Sequence, residues 1–136
     1  MKITGSCHCG AVIYEAELDP GKVGICHCTD CQTLSASAFR TIAFVDGAAL
    51  RLTGETPRKY VKRADSGNDR IQAFCGTCGA GIYSTTTDAR PSVYSLRVGT
   101  IDARRDLTPR FEIWCRSALP WLAPQPETEK HDGNPG

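Results

Sequence analysis

Excess charge of either sign is missing from this chain. Its 16 basic and 15 acidic residues leave a net charge of +1 over 136 positions. No basic run is present, so the electrostatic footprint of a nucleic-acid or anionic-surface binder is absent. No apolar stretch approaches the roughly 20 residues that a membrane-spanning helix requires. Met1-Lys2-Ile3-Thr4-Gly5-Ser6 has a lysine but no apolar segment behind it, unlike a secretory leader. These absences predict a cytoplasmic protein with no nucleic-acid and no membrane partner. There is no long internal repeat. Apolar residues make up only 40%, enough for one modest core of the kind that often draws stability from bound metal.

Cysteine is what the chain has in quantity. Seven of the eight cysteines fall into three clusters: Cys7-His8-Cys9-Gly10, Cys26-His27-Cys28-Thr29-Asp30-Cys31 and Cys75-Gly76-Thr77-Cys78-Gly79. An even number of cysteines would also suit a secreted disulfide scaffold, but the clustering and the expected reducing compartment argue for metal. Zinc takes four ligands in a closed structural site and three in an open, chemically available one. Seven clustered thiolates therefore suggest two zinc ions. Cys75-Gly76-Thr77-Cys78-Gly79 resembles a zinc knuckle, whose glycines let the backbone turn while amides point at the sulfurs. The knuckle needs a second pair, either Cys7 and Cys9 or two members of the middle cluster. Splitting the middle trio would strand one thiolate. Cys7, Cys9, Cys75 and Cys78 are thus assigned to a structural zinc, and Cys26, Cys28 and Cys31 to an open, catalytic one.

The remaining donors have other readings. In an extended Cys-His-Cys segment the central side chain points away from the sulfurs, so His8 and His27 are expected to pack nearby or hydrogen-bond behind the ligands. Cys115 stands alone and reads as a small buried hydrophobe, with a fourth-ligand role as the alternative. His131 lies in a polar tail and reads as solvated.

Frequent glycine and proline separate short β-rich runs: 11–16, 37–44, 50–53, 58–62, 69–74, 81–84, 92–98 and 111–114. This pattern predicts a mostly β fold, an all-β sheet or sandwich. One short helix is expected over 29–36, capped by Thr29 or Asp30. Residues 1–122 are read as one domain and 123–136, from Pro124 onward without an apolar anchor, as a disordered tail.

The order C-x-C, C-x-C-x₂-C, C-x₂-C resembles the glutathione-dependent formaldehyde-activating enzymes, whose domain also occurs in centromere protein V. Ile113-Trp114 and Leu119-Pro120-Trp121 look like that family's C-terminal tryptophan pair, and the likeness spans roughly residues 3 to 122. The resemblance implies stacked antiparallel sheets in a β-tent and the same partition of thiolates. It also implies a carbon–sulfur lyase-type activity, with glutathione and formaldehyde giving S-hydroxymethylglutathione. A small-molecule thiol would be the partner, made more acidic by the open zinc. Lys22 and Arg40 flank the middle cluster and are candidates to meet glutathione's carboxylates. Two other functions stay open: a zinc-stabilised protein-binding module without catalysis, and a zinc hydrolase acting on a thiol adduct.

Overall fold

The computed structural model describes residues 1–64 and 66–134. Its strands are β1 (Lys2–Ser6), β2 (Ile13–Glu17), β3 (Val23–Cys26), β4 (Arg40–Asp46), β5 (Leu50–Leu52) and β6 (Arg58–Arg63). They continue with β7 (Asp69–Phe74), β8 (Gly81–Thr86), β9 (Val93–Arg97), β10 (Phe111–Ile113) and β11 (Glu129–Lys130). Among the described residues the one α-helix is α1 (Thr29–Ser35). The fold is mostly β, in two sheets. A small sheet has the order β1-β2-β5, and a large one the order β11-β10-β3-β4-β9-β8-β7-β6.

Side-chain alternation gives each sheet one apolar face. Ile3 on β1 and Tyr14 and Ala16 on β2 face inward, with Ala43 and Val45 on β4, Leu96 on β9 and Ala73 on β7. These residues form one core cluster that joins the two sheets. Side chains such as Leu96, Ile82 and Ile101 are fully buried, each contributing about 1.5–3 kcal/mol. The opposite face of the large sheet carries a smaller apolar cluster, Ile42 and Ile113 with Phe44 and Phe111, beside polar side chains of β7, β8 and β9, and there the alternation of the strands has its functional consequence.

Several expectations from sequence are corrected. The large sheet is not purely antiparallel, because β10 runs parallel to both β3 and β11. Residues 123–136 read as a disordered tail from sequence; 135 and 136 lie outside the described residues, and 123–134 are ordered by contacts. Glu129–Lys130 pairs with Phe111 and Glu112, and the Trp114 ring N–H donates to Asn134 Oδ1 at 2.9 Å. Backbone pairing and polar side chains hold this segment where an apolar anchor is lacking. Helix α1 is capped not by Thr29 or Asp30 but by Cys28, whose Sγ accepts the Cys31 N–H at 3.2 Å. β1 and β3 were not foreseen. β1 has a single large apolar residue, and β3 is buried along its whole length, so it shows no alternation.

Candidate functional site

The first sulfur cluster sits where the two sheets meet. Cys7 follows β1, and Cys75 to Cys78 form the turn between β7 and β8. The Sγ atoms of Cys7, Cys9, Cys75 and Cys78 all lie within 4.8 Å of one another. Both contributing turns end on a left-handed glycine, Gly10 at φ 82° and Gly79 at φ 80°, a conformation that a Cβ disfavours. Gly76, expected to turn in the same way, does not take a positive φ. Backbone amides aim at the sulfurs: Val12 N–H donates to Cys7 at 3.2 Å, and Thr77 N–H to Cys75 at 3.4 Å.

A tetrahedron with metal–sulfur bonds of about 2.3 Å has edges of about 3.8 Å. The Cys7–Cys9 and Cys9–Cys75 sulfur separations are 3.6 and 3.7 Å. Four soft donors at that spacing fit a zinc ion. The electrostatics agree. Burial pushes the Cys7 thiol up, yet the Val12 N–H and the neighbouring sulfurs hold it below its ordinary value. The Ala80 and Cys9 amides draw Cys78 down to about 6. The Ala11 amide favours the Cys9 thiolate, but burial and the other sulfurs outweigh it and push Cys9 up to about 12. Some sulfurs keep protons so that others can lose them. A cation would let all four ionise together.

The second cluster is Cys26 at the end of β3, Cys28 at the helix cap and Cys31 in the first turn of α1. Their sulfurs also lie within 4.8 Å of one another. Among the described residues no fourth His, Cys, Asp or Glu joins them. Arg40 Nη2 donates to Cys31 Sγ at 3.2 Å. The sulfurs of Cys26 and Cys28, with Arg40 beside them, hold Cys31 down to about 2. Cys28 and Cys31 in turn push Cys26 far up. Three soft donors with one side free are compatible with an open zinc site.

That free side faces a cleft of about 750 Å³. Its floor is the outer face of the large sheet, largely apolar on β4 and polar on β7 to β9. β4 contributes Arg40, Ile42 and Phe44, β9 contributes Ser95 and Arg97, β8 contributes Ser84 and Thr86, and β7 contributes Arg70 and Gln72. The register explains the assembly: Ile42 opposes Arg97, Phe44 opposes Ser95, Ser95 opposes Ser84, and Ser84 opposes Gln72. Lys62 and Asp30 close one side as an ion pair at 2.6 Å, and Trp114 and Asn134 line another part of the wall. Trp114 itself has a left-handed backbone at φ 57°, and the Arg116 guanidinium lies 4.7 Å from its ring centroid.

The other candidates separate clearly. Arg40 is at the site, as expected. Lys22 ends an exposed turn at Pro20–Lys22 and does not line the cleft. His8 is exposed, and neither it nor His27 belongs to a sulfur cluster. His27 is buried, and its Nε2 meets Glu112 Oε1 at 2.8 Å. Glu112 also accepts from Thr128 and lies 3.6 Å from Lys130 Nζ. Although burial acts to raise the Glu112 carboxyl, these partners hold it below its usual range. The network ties the Cys26–Cys28 segment to β10 and β11, a connection no local sequence signal reveals. Cys115 is half-buried, points its thiol at the Glu112 carbonyl at 3.6 Å and joins neither cluster. His131 is partly buried against Glu129 at 3.1 Å. Sequence reading missed Arg70 and Arg97. Their signal was the matched parity of Arg70 with Gln72 and of Ser95 with Arg97, polar on one side of otherwise apolar strands.

Comparison with known proteins gives consistent relatives. A crystal structure of a Rhodobacter sphaeroides protein matches with a TM-score of 0.59 at 25% identity, covering 76% of this chain and 94% of that one. An uncharacterized lyase of Schizosaccharomyces pombe is 28% identical over 86 residues, 63% of this chain and 59% of that protein's length. No helix among the described residues is long and apolar enough to cross a membrane. The family model described as glutathione-dependent formaldehyde-activating enzyme matches residues 2–117, and the chain belongs to that family.

Proposed function

We propose that this chain is a zinc-dependent carbon–sulfur lyase-type enzyme that joins a small thiol, such as glutathione, to a small aldehyde and also cleaves the adduct. One observation carries the reading: a three-sulfur cluster, Cys26, Cys28 and Cys31, borders an open cleft large enough for a tripeptide. A zinc ion held by these three residues would supply a soft Lewis acid that favours a thiolate over a thiol at neutral pH. Cys7, Cys9, Cys75 and Cys78 would hold a second zinc with a structural role.

The chain's own groups account for the rest. Arg40 holds negative charge on Cys31 through its hydrogen bond. The Cys31 amide donates to Cys28 Sγ and fixes its position. The cleft confines thiol and aldehyde together, which turns a bimolecular addition into a local one. In the addition a sulfur–carbon bond forms as the carbonyl π bond breaks. The thiol proton ends on the new hydroxyl oxygen, and nothing is oxidised or reduced. Cleavage is the reverse. The open cleft weighs against a binding module without catalysis, for which a closed four-ligand site would be expected.

The test is exchange NMR on zinc-loaded protein with ¹³C-formaldehyde and glutathione. Exchange between free formaldehyde and S-hydroxymethylglutathione should exceed the uncatalysed rate and scale with enzyme concentration. An unchanged rate at full zinc occupancy would rule out this activity.

A further inference from the structure

Arg97 is an unusual residue to find inside a sheet. Its side chain is only 8% exposed, yet among the described residues it has no carboxylate partner. Its guanidinium donates instead to neutral acceptors, Gln72 Oε1 at 2.8 Å and the Ser95 hydroxyl at 3.3 Å and carbonyl at 3.4 Å. Charged side chains are almost never buried without a counter-charge. Burial, with Arg40 nearby, pushes this guanidinium down to about 9, although the Cys31 and Cys26 sulfurs favour its charged form.

The charges around the cleft sharpen the point. Three thiolates and one divalent ion carry a formal charge of −1, which Arg40 offsets through its contact with Cys31. Lys62 is neutralised by Asp30. Of the two other carboxylates that line the cleft, Asp69 pairs with Arg63 and Asp88 accepts from the Thr86 hydroxyl at the exposed rim, and among the described residues neither pairs with Arg97 or Arg70 on the floor. Arg70 is half-buried on β7, and its only polar contact recorded among the described residues is a long one, to Ser84 Oγ at 3.4 Å. Both arginines line the same cleft as the sulfur trio. A guanidinium is the side chain best shaped for a carboxylate, which it can grip with two parallel N–H bonds.

We infer that Arg97, backed by Arg70, receives a carboxylate of the thiol substrate, so that the cleft selects carboxylate-bearing thiols over neutral or cationic ones. The inference rests on the thiol-binding function proposed above. Gln72 and Ser95 fix the Arg97 fork in place before the ligand arrives. The thiol end then lies toward Cys26, Cys28 and Cys31, and the acidic end toward β9 and β7. A thiol without a carboxylate leaves the buried Arg97 cation unanswered.

Calorimetric titration of the zinc-loaded protein with glutathione and with cysteamine, a thiol that has no carboxylate, tests the inference. Glutathione should bind the unaltered protein more tightly than cysteamine. Arg97→Gln should weaken glutathione by about ten- to a hundredfold, the worth of a charge-assisted pair. It should leave cysteamine no weaker, since no such pair is lost and a repulsion with its ammonium is relieved. Arg97→Lys, which keeps the charge but loses the fork, should fall between. Arg70→Gln, at a half-buried position that asks less of the fold, should weaken glutathione in the same sense. A purely structural Arg97 would lower both thiols together. Equal loss for both, or glutathione affinity unchanged in Arg97→Gln and Arg70→Gln, overturns the inference while the thiol-binding function stands. Failure of the unaltered protein to bind either thiol overturns both.

Discussion

Cys75→Ser is expected to leave a largely unfolded protein. Cys75 is 1% exposed and Cys7 is 3% exposed, and their cluster joins the end of β1 to the turn between β7 and β8. It therefore clips the small sheet to the large one. A structural zinc contributes an apparent 10–16 kcal/mol, about the whole net stability of a domain of this size. Serine is a poor ligand for zinc, so most of that contribution should vanish, and buried Cys7, half-buried Cys78 and exposed Cys9 would be left without their cation. Circular dichroism and thermal melts of the variant check this. Stripping the unaltered protein with a strong chelator should reproduce the loss, and returning zinc should reverse it. A Cys75→Ser variant that melts with the parent would mean that this cluster does not hold the fold together.

Cys28→Ser is expected to behave in the opposite way, with fold retained and function gone. Cys28 caps α1 by accepting the Cys31 N–H. Serine is among the best N-cap residues, so the helix start survives the change. The trio nevertheless loses a soft donor. Zinc content should fall from about two to about one per chain, because two thiolates cannot hold an open site. Thiol–aldehyde exchange should drop by more than about a hundredfold, since even partners behind a metal ligand are worth 10–100-fold. Elemental analysis, a melt and the exchange measurement together read out all three effects. Unfolding equal to that of Cys75→Ser would make the middle trio structural as well.

The contrast expected between these two variants rests on spacing, because metal ligands commonly come in local pairs. Cys7 with Cys9 and Cys75 with Cys78 are each set by one turn, and the glycines at 10 and 79 mark where those turns must end. The strands around them were legible for a similar local reason: 58–62, 69–74 and 92–98 alternate or carry β-branched and aromatic residues between turn signals. What escaped the sequence depends on contacts across long separations. Arg97 reaches Gln72 only because β9, β8 and β7 lie side by side. His27 meets Glu112, 85 residues away, through the parallel pairing of β3 with β10. β11 has no apolar signal at all and is held by backbone pairing to β10. Lys22 was misplaced because sequence proximity to Cys26 says nothing about direction: the strand between them carries the lysine to the far end. The Cys28 cap was missed because cysteine is not among the usual capping residues, although its sulfur accepts the Cys31 amide proton here.

The central claim is that Cys26, Cys28 and Cys31 form an open metal site that takes a substrate sulfur. Cobalt-substituted protein tests it most directly, titrated with glutathione and with S-methylglutathione at several pH values. The methylated form keeps every other group but has no thiol proton to lose. Glutathione should change the visible and thiolate charge-transfer bands as a fourth sulfur joins three. Its binding should tighten as pH rises toward the free thiol pKa of about 8.5, because coordination expels a proton. S-methylglutathione should bind far more weakly and leave the spectrum as it was. Identical weak binding of the two, with unchanged bands at every pH, would contradict thiol activation at this site.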